Sequence, residues 1–359
     1  MMKLKVGLLF GGKSPEHQVS LQSAKSVFEA IDKDKYEILL IGIDKEGKWN
    51  LYDNLDTCLL NNNNPNLIEL KKSDKSIALV PGELSNQFLE LPSGASLGKI
   101  DVIFPLVHGG LGEDGSMQGL LRFANIPFVG PGVLASAVSM DKDVAKRLLS
   151  DAGLRVAHSL TFTRKMKDTI AFKKVKKKLG TPMFIKPANH GSSVGVSKVE
   201  SKEEFYQGIN HAFCYDQKII VEEAIVGREI ECAVLGNDEP ISSLPGEILT
   251  QNTFYSYDAK YIDEKGAQLT IPAVLEDIVI QEIKEKAIKA FKVLHCEGLA
   301  RIDFFLTQNQ KLIINEINTL PGFTKQSMYP KLWEVSGIQY KELINTLISL
   351  AIERHQISI

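Results

Sequence analysis

The chain alternates between short apolar runs and stretches with apolar residues at helical spacing. The apolar runs predict buried strands at 5–10, 36–43, 101–107, 126–129, 183–187, 218–223 and 230–235. The helical spacing predicts helices over 21–31, 141–153, 171–179, 276–296 and 340–352. The strand–loop–helix–strand order near the N-terminus favours a doubly wound domain, whose ligands bind at the carboxyl ends of the strands. The polar stretch 49–99 predicts an irregular surface elaboration of that domain.

Two further apolar runs, 299–306 and 311–317, predict a β-hairpin near the C-terminus. A two-residue turn at 308–309 would place Arg301 opposite Glu316. This register puts four polar side chains on one side of the hairpin, and a slip of one residue would separate them into two pairs. The four are Arg301, Asp303, Glu316 and Asn318.

Two carboxylates and an amide oxygen beside an arginine form a site of hard oxygen ligands. Magnesium prefers such ligands and shares its other positions with water and substrate phosphates. An arginine fits there if an anion, such as a phosphoryl group in transfer, lies against the metal. The alternative is the solvated face of a surface hairpin. The Pro-Gly turn in 319–322 favours the site, because it can direct backbone N–H groups towards the same place.

The composition limits the classes of protein to which the chain can belong. At 359 residues the chain is long enough for two or three domains. It is 44% hydrophobic and 24% charged with a net charge of −2, so it has no charge excess that favours nucleic acid or an acidic membrane surface. No run approaches the roughly 20 apolar residues of a membrane helix. The four cysteines lack CxxC spacing, so we expect reduced thiols in a cytoplasmic protein and no zinc site.

Several segments carry candidate ligand contacts. Lys186 precedes a Gly-Ser-Ser-x-Gly loop, an arrangement that can hold phosphates with one cation and flexible backbone N–H donors. His108 ends a predicted strand and enters a glycine-rich loop, where it is well placed to touch a ligand or to bind its neighbours. Lys142 lies in the first turn of a helix, where its charge opposes the helix dipole unless an anion binds there; a solvated lysine is the ordinary alternative. The polar stretch 251–266 with its three tyrosines predicts a lid, or a surface loop anchored by those tyrosines.

The motifs NEINTLPGFT, with RIDFF upstream, resemble the C-terminal signature of the ATP-grasp enzymes, and specifically of the D-alanine–D-alanine ligase family. Further motifs occur in the order that they have in that family, namely HGGLGEDGSMQGLL, SMDK and DAKY. The resemblance therefore covers nearly the whole chain. It implies an α/β (α+β) ATP-grasp fold with a doubly wound N-terminal domain over 1–130, a small central domain over 131–222 and a C-terminal domain over 223–359. ATP would bind between the last two.

The resemblance also implies an activity. Two D-alanine molecules would be joined through an acyl phosphate, for peptidoglycan precursor synthesis in the cytoplasm, by an enzyme that forms a homodimer. A D-alanine–D-lactate ligase of the same fold is one alternative, although Tyr261 argues against it because relatives that form the ester tend to replace this tyrosine. The other alternative is a nucleotide-gated binding protein without catalysis, which the intact metal set and Arg301 oppose.

Roles follow for individual residues by the same resemblance. Two Mg²⁺ or Mn²⁺ ions would be held by Asp303, Glu316 and Asn318. ATP would be bound by Lys142, Lys186 and Lys260 at the phosphates, by the stretch around Glu222 and Glu223 at the adenine, largely through backbone groups, and by Glu229 at the ribose. The amino acids and the oxyanion would be held by Glu16 at the first ammonium group, Ser327 and the Met328 N–H at the second carboxylate, and Arg301 with the Gly322 N–H. The lid would close through Tyr261 bonded to Ser192 and so to Glu16, while His108 would lie near the reacting carboxylate. For each acid at a strand end, exposure to solvent is the alternative.

Overall fold

The computed structural model describes residues 3–61, 63–250 and 267–357. Its first unit is a six-stranded sheet of order β7-β6-β3-β2-β1-β8, in which β1 pairs in parallel with β2 and β8. The strands are β1 Leu4–Gly11, β2 Tyr36–Ile43, β3 Trp49–Tyr52, β4 Leu59–Leu60, β5 Glu69–Leu70, β6 Ser76–Leu79, β7 Phe88–Leu91 and β8 Val102–Pro105, where β4 and β5 form a separate small hairpin. The helices are α1 His17–Ala30, α2 Leu55–Cys58 and α3 Ser116–Phe123.

The second unit is a four-stranded antiparallel sheet of order β11-β10-β12-β9. Its strands are β9 Ser159–Thr163, β10 Met183–Pro187, β11 Ser197–Val199 and β12 Lys218–Glu223. The helices of this part of the chain are α4 Val133–Met140, α5 Lys142–Asp151, α6 Phe172–Leu179 and α7 Lys202–Tyr215. The apolar faces of α6 and α7 pack against this sheet, and the five lysines of α6 lie on the solvent side.

The third unit is an antiparallel sheet of order β16-β15-β13-β17-β18, with β14 added beside β13. Its strands are β13 Gly227–Gly236, β14 Ile241–Ser242, β15 Gly246–Thr250, β16 Ala267–Thr270, β17 Gly298–Thr307 and β18 Leu312–Asn318. The remaining helices are α8 Asp277–Val293, α9 Met328–Val335 and α10 Tyr340–Ile357. One face of this sheet shares a core with α4, α5 and α8.

The first and third units share a second core, which fixes how their strand ends meet. Phe10 and Leu21 of the first unit belong to the same buried cluster as Phe323, Trp333 and Leu343 near the C-terminus. Burial of such large side chains contributes roughly 2 kcal/mol or more each. The loops that follow β1 and β8 are therefore held against the turn that follows β18. Among the helices within the described ranges, none is long and apolar enough to cross a membrane.

The structure corrects three predictions about the elements. The stretch 49–99 is not only a surface elaboration, because β3, β6 and β7 join the main sheet and bury Leu51, Ile77 and Phe88. Each apolar run there is only four residues long, too short to stand out from a loop. The predicted strand 126–129 is reduced to a single bridge between Ile103 and Phe128. Several elements were missing from the prediction, among them the helices α3, α4, α7 and α9 and the strands β9 and β15.

Candidate active site

The hairpin of β17 and β18 brings its four polar residues to one side by a register that differs from the predicted one. Asp303 faces Glu316 and Arg301 faces Asn318, whereas nearer the turn Phe304 faces Ile314. The pairing therefore shifts by one residue between Asp303 and Phe304, and Asn315 is the extra residue of a β-bulge. Without this bulge the register near the turn would send Glu316 to the opposite, buried face.

Arg301 is held at the centre of this face by carboxylates. Its Nε and Nη2 donate to Oδ1 and Oδ2 of Asp303, at 2.8 Å each. Nε also lies 2.9 Å from Oε2 of Glu231, a buried residue on the neighbouring strand β13. Burial would lower the pKa of the guanidinium, but the charges of Asp303 and Glu231 raise that pKa well above its usual value. The arginine is therefore ionised and fixed in orientation.

A cavity between the second and third sheets is lined by the two predicted phosphate-binding lysines. The Nζ of Lys142 donates to the His190 carbonyl oxygen at 2.6 Å and lies 3.9 Å from Oε2 of Glu316. Lys186 enters the cavity from β10, with its Nζ 2.9 Å from Oε2 of Glu222. Burial lowers the pKa of Lys142, whereas for Lys186 the charge of Glu222 outweighs burial and raises the pKa. Two lysine side chains therefore face this cavity from different elements.

The loop between β10 and β11 forms one wall of this cavity. Ser192 and Ser193 adopt left-handed backbone angles, with φ of 50° and 58°. Such angles cost roughly 1–2 kcal/mol for a residue other than glycine. Gly191 and Ser192 line both this cavity and a second one beside it. The strained loop therefore lies where the two cavities join.

Three acids predicted to bind the nucleoside lie along the cavity wall. Glu222 is buried, and its two oxygens contact Lys146 and Lys186. The carboxylate of Glu223 accepts a hydrogen bond from the His158 N–H at 2.8 Å. Glu229 lines the same cavity from β13. Contacts to adenine and ribose stay predictions.

The second cavity contains the residues predicted to hold the amino acids. Glu16, at the start of α1, faces the glycine-rich loop, since a methyl group added to Gly109 would lie 3.0 Å from its Oε2. Ser327 precedes α9, and its hydroxyl accepts a hydrogen bond from the Thr324 N–H at 3.0 Å. A methyl group on Gly322 would lie 3.1 Å from the Ser327 Oγ. The structure thus gathers the start of α1 and the turn after β18 around one space.

His108 lines the second cavity, and both of its ring nitrogens have protein partners. Nδ1 lies 3.0 Å from the Leu320 carbonyl oxygen and Nε2 lies 3.2 Å from the Ser23 hydroxyl. A carbonyl only accepts, so Nδ1 carries the proton and donates it. Burial lowers the pKa of His108, against the effect of Glu16. The imidazole therefore ties β8 to the turn after β18; its predicted place near a reacting carboxylate stays a prediction.

Sequence reasoning missed Glu113 and Glu231. Glu113 accepts hydrogen bonds from the N–H groups of Gly109, at 2.6 Å, and Leu320, at 3.3 Å. Burial raises the pKa of Glu113 to about 8, and the charges of Glu16 and Glu316 act in the same direction. The signal available was an acid inside a glycine-rich loop, and for Glu231 an acid at an inward position of an apolar strand. Both needed the structure to show what they face.

Tyr261 and Lys260, predicted to act from the lid, lie outside the described residues. Within the described part of the chain, no group of three or more His, Cys, Asp or Glu side chains could hold a metal ion. The predicted set has two carboxylates and one amide, which suits magnesium or manganese because such ions take one or two carboxylates and complete their shell with water and phosphate oxygens. Asp303 also accepts from the Asn318 Nδ2 at 2.9 Å, so binding of an ion by the Asn318 oxygen would require that amide group to turn.

Comparison with known families matches residues 5–131 to the description "D-ala D-ala ligase N-terminus" and residues 148–349 to "D-ala D-ala ligase C-terminus". A D-alanine–D-alanine ligase from Oceanobacillus iheyensis is 61% identical over 355 residues, which are 99% of this chain and 97% of that protein. The solved D-alanine-D-alanine ligase from Coxiella burnetii has a TM-score of 0.85 at 39% identity, over 100% of this chain and 96% of its own. The VanG D-Ala:D-Ser ligase from Enterococcus faecalis has a TM-score of 0.85 at 37% identity, over 98% of this chain and 100% of its own.

The chain has the ATP-grasp fold of these ligases, as the motifs predicted. The chain belongs to the D-alanine–D-alanine ligase family. The predicted domain boundaries at 130 and 222 stay predictions.

Proposed function

We propose that the protein joins two D-alanine molecules to D-alanyl-D-alanine at the expense of ATP. Relatives named for this activity are 61% and 60% identical over nearly the whole chain, which supports the proposal. The structural observation that carries it is the meeting of two cavities at Gly191, Ser192 and Glu316. One cavity presents two lysines, as triphosphate binding requires, and the other presents Glu16 and Arg301, as an amino acid requires.

A carboxylate is a poor electrophile until one of its oxygens becomes a leaving group. In the proposed reaction the first D-alanine carboxylate attacks the γ-phosphorus of ATP, and ADP leaves. The neutral amine of the second D-alanine then attacks the acyl phosphate carbonyl, phosphate leaves with the former carboxylate oxygen, and the nitrogen releases one proton to water. The protein contributes mainly position and charge to such a transfer.

The residues have separate tasks in this scheme. Lys142 and Lys186 would neutralise phosphate oxygens. Asp303, Glu316 and Asn318 would hold Mg²⁺ or Mn²⁺, which supplies further neutralisation of the phosphates. Arg301 would stabilise the oxyanion of the tetrahedral adduct together with the Gly322 N–H.

The substrates would be held by groups from both ends of the chain. Glu16 would bind the ammonium group of the first D-alanine by charge. Ser327 and the Met328 N–H at the start of α9 would bind the carboxylate of the second. Because ATP is a cytoplasmic nucleotide, we also propose a cytoplasmic location; a homodimer stays a prediction.

The test is an ATPase assay with each D- and L-amino acid, D-serine and D-lactate, with products detected by mass spectrometry. We expect ADP release that depends on D-alanine, with one D-alanyl-D-alanine formed per ADP. A depsipeptide as the main product would favour the ester-forming alternative. Nucleotide binding without any ligated product would indicate a binding protein and overturn the proposal.

A further inference from the structure

The cavity lined by Lys142 and Lys186 is called here the nucleotide cavity. A third lysine lies close to it, and the proposed reaction gives this lysine no role. Lys146 is one turn after Lys142 on α5 and is only 5% exposed. Its Nζ lies 3.2 Å from Oε1 of Glu222, in an ion pair whose angles do not make it a well-aligned hydrogen bond. The other oxygen of Glu222 lies 2.9 Å from the Nζ of Lys186. One buried carboxylate therefore bridges two lysines.

The two lysines differ in what they can reach. Lys186 and Glu222 line the nucleotide cavity, whereas Lys146 does not belong to the cavity lining within the described part of the chain. Lys146 therefore does not face the cavity itself, and the cavity-lining residue with which it forms an ion pair is Glu222. The pKa of Glu222 fits a double pairing: burial would raise it, but the charges of Lys146 and Lys186 lower it to about 2.

Binding of phosphate creates a competition for Lys186. At least one of the three N–H donors of this lysine must leave Glu222 and bind the phosphate oxygens instead. If Lys186 were the only partner of Glu222, that movement would leave a buried carboxylate without a counter-ion, which is strongly unfavourable. With Lys146 in place, the carboxylate keeps a counter-ion in both arrangements.

We propose that Lys146 is a positioning residue for nucleotide binding, which holds the charge of Glu222 so that Lys186 is free to bind phosphate. The proposal rests on the proposed function only in taking a nucleotide polyphosphate as the ligand of this cavity. It makes Lys146 a determinant of affinity for the phosphate chain rather than for the nucleoside or for D-alanine.

The test measures binding of ATP and of adenosine by calorimetry, without D-alanine, to the full chain. Lys146→Met removes the charge at similar volume, and Lys146→Arg keeps the charge. Arg147→Met is the matched control, because Arg147 is the next residue on the same helix and its side chain is 69% exposed. We expect Lys146→Met to weaken ATP binding about 10- to 100-fold and adenosine binding less than threefold. Lys146→Arg and Arg147→Met should stay within threefold of the unmodified protein for both ligands.

Glu222→Gln supplies a second test, in which Lys146→Met is added to a protein that has no buried carboxylate at position 222 to leave without a counter-ion. Since Lys146 acts through the carboxylate, adding Lys146→Met to Glu222→Gln should change ATP affinity less than threefold. A tenfold loss on that background would overturn the proposal, as would equal losses for ATP and adenosine in Lys146→Met. If the unmodified protein binds ATP but forms no dipeptide, the proposed function is wrong, whereas the inference about Lys146 is unaffected.

Discussion

Arg301 and Asp303, two residues apart on β17, bind each other through two parallel hydrogen bonds of 2.8 Å, from Nε to Oδ1 and from Nη2 to Oδ2. Glu231 contacts the same Nε from the neighbouring strand at 2.9 Å. A planar guanidinium held by two carboxylates keeps one orientation before any substrate arrives. Fixed donors of this kind contribute most to stabilisation of a developing charge, because they need no reorganisation during the reaction.

Replacing Arg301 with lysine should lower turnover with little effect on ATP binding. An ammonium group keeps the charge that Asp303 and Glu231 require, but it cannot reproduce the parallel N–H donors of the planar guanidinium group. We expect kcat for dipeptide formation to fall about 10²- to 10³-fold, the usual effect of losing one oxyanion donor. ATP affinity, measured by calorimetry, should stay within threefold. Turnover close to that of the unmodified protein would refute the assigned role.

The hairpin also shows how far the sequence could take the prediction. Strand ends and alternation were enough to predict that Arg301 shares a face with Asp303, and that Glu316 shares a face with Asn318. The predicted register was nevertheless wrong, because it assumed an unbroken pairing of the two strands, whereas Asn315 is an extra residue at which the pairing shifts by one. The alternation of apolar and polar residues does not show where such a bulge occurs.

Other misses have a similar cause. Glu113 and Glu231 are single acids that each have a partner far away along the chain: Leu320 lies 207 positions from Glu113, and Arg301 lies 70 positions from Glu231. Such partners become visible only when the fold brings the elements together. The motif segments were predictable because their chemistry is local in sequence, as in the glycine-serine loop after Lys186.

The glycine-rich loop after β8 offers a matched pair of substitutions. A methyl group on Gly112 would lie 1.9 Å from the Val107 carbonyl oxygen, whereas one on Gly110 would meet nothing within 4 Å. We expect Gly112→Ala to lower the free energy of unfolding by about 3 kcal/mol and to displace the neighbouring Glu113. Gly110→Ala should change it by less than about 0.5 kcal/mol, as surface substitutions usually do. Urea unfolding measures both; equal effects would contradict the close packing of Gly112.

His108 should keep its neutral form, with the proton on Nδ1, to a lower pH than an exposed histidine does. Burial lowers its pKa, and the Leu320 carbonyl oxygen accepts from Nδ1. Because the unfolded chain takes up a second ring proton near pH 6.5 and the folded chain does so only at a lower pH, the group should reduce stability as pH falls below about 6.5. Nitrogen-15 NMR of the histidine rings at neutral pH should report the Nδ1–H tautomer, and a pH titration should show His108 protonating at a lower pH than an exposed histidine. Protonation of His108 at or above the ordinary pH would contradict the contact.

Glu222→Gln should destabilise the protein at neutral pH, with an effect that fades in acid. Removing the carboxylate leaves Lys146 and Lys186 buried without their shared counter-ion, which costs about 3–5 kcal/mol. The pKa of Glu222 is lowered to about 2, so its contribution is fully present above the ordinary value of 4.5 and is lost as pH falls from there through 2. Urea unfolding at pH 7, 5 and 3 should therefore show a difference between the two proteins that is constant from pH 7 to 5 and smaller at pH 3. Glu223→Gln is the control, since the Glu223 carboxylate contacts a backbone N–H rather than a lysine. A Glu222→Gln difference that is the same at pH 3 as at pH 7 would mean that the bridge between the lysines does not depend on the charge of Glu222.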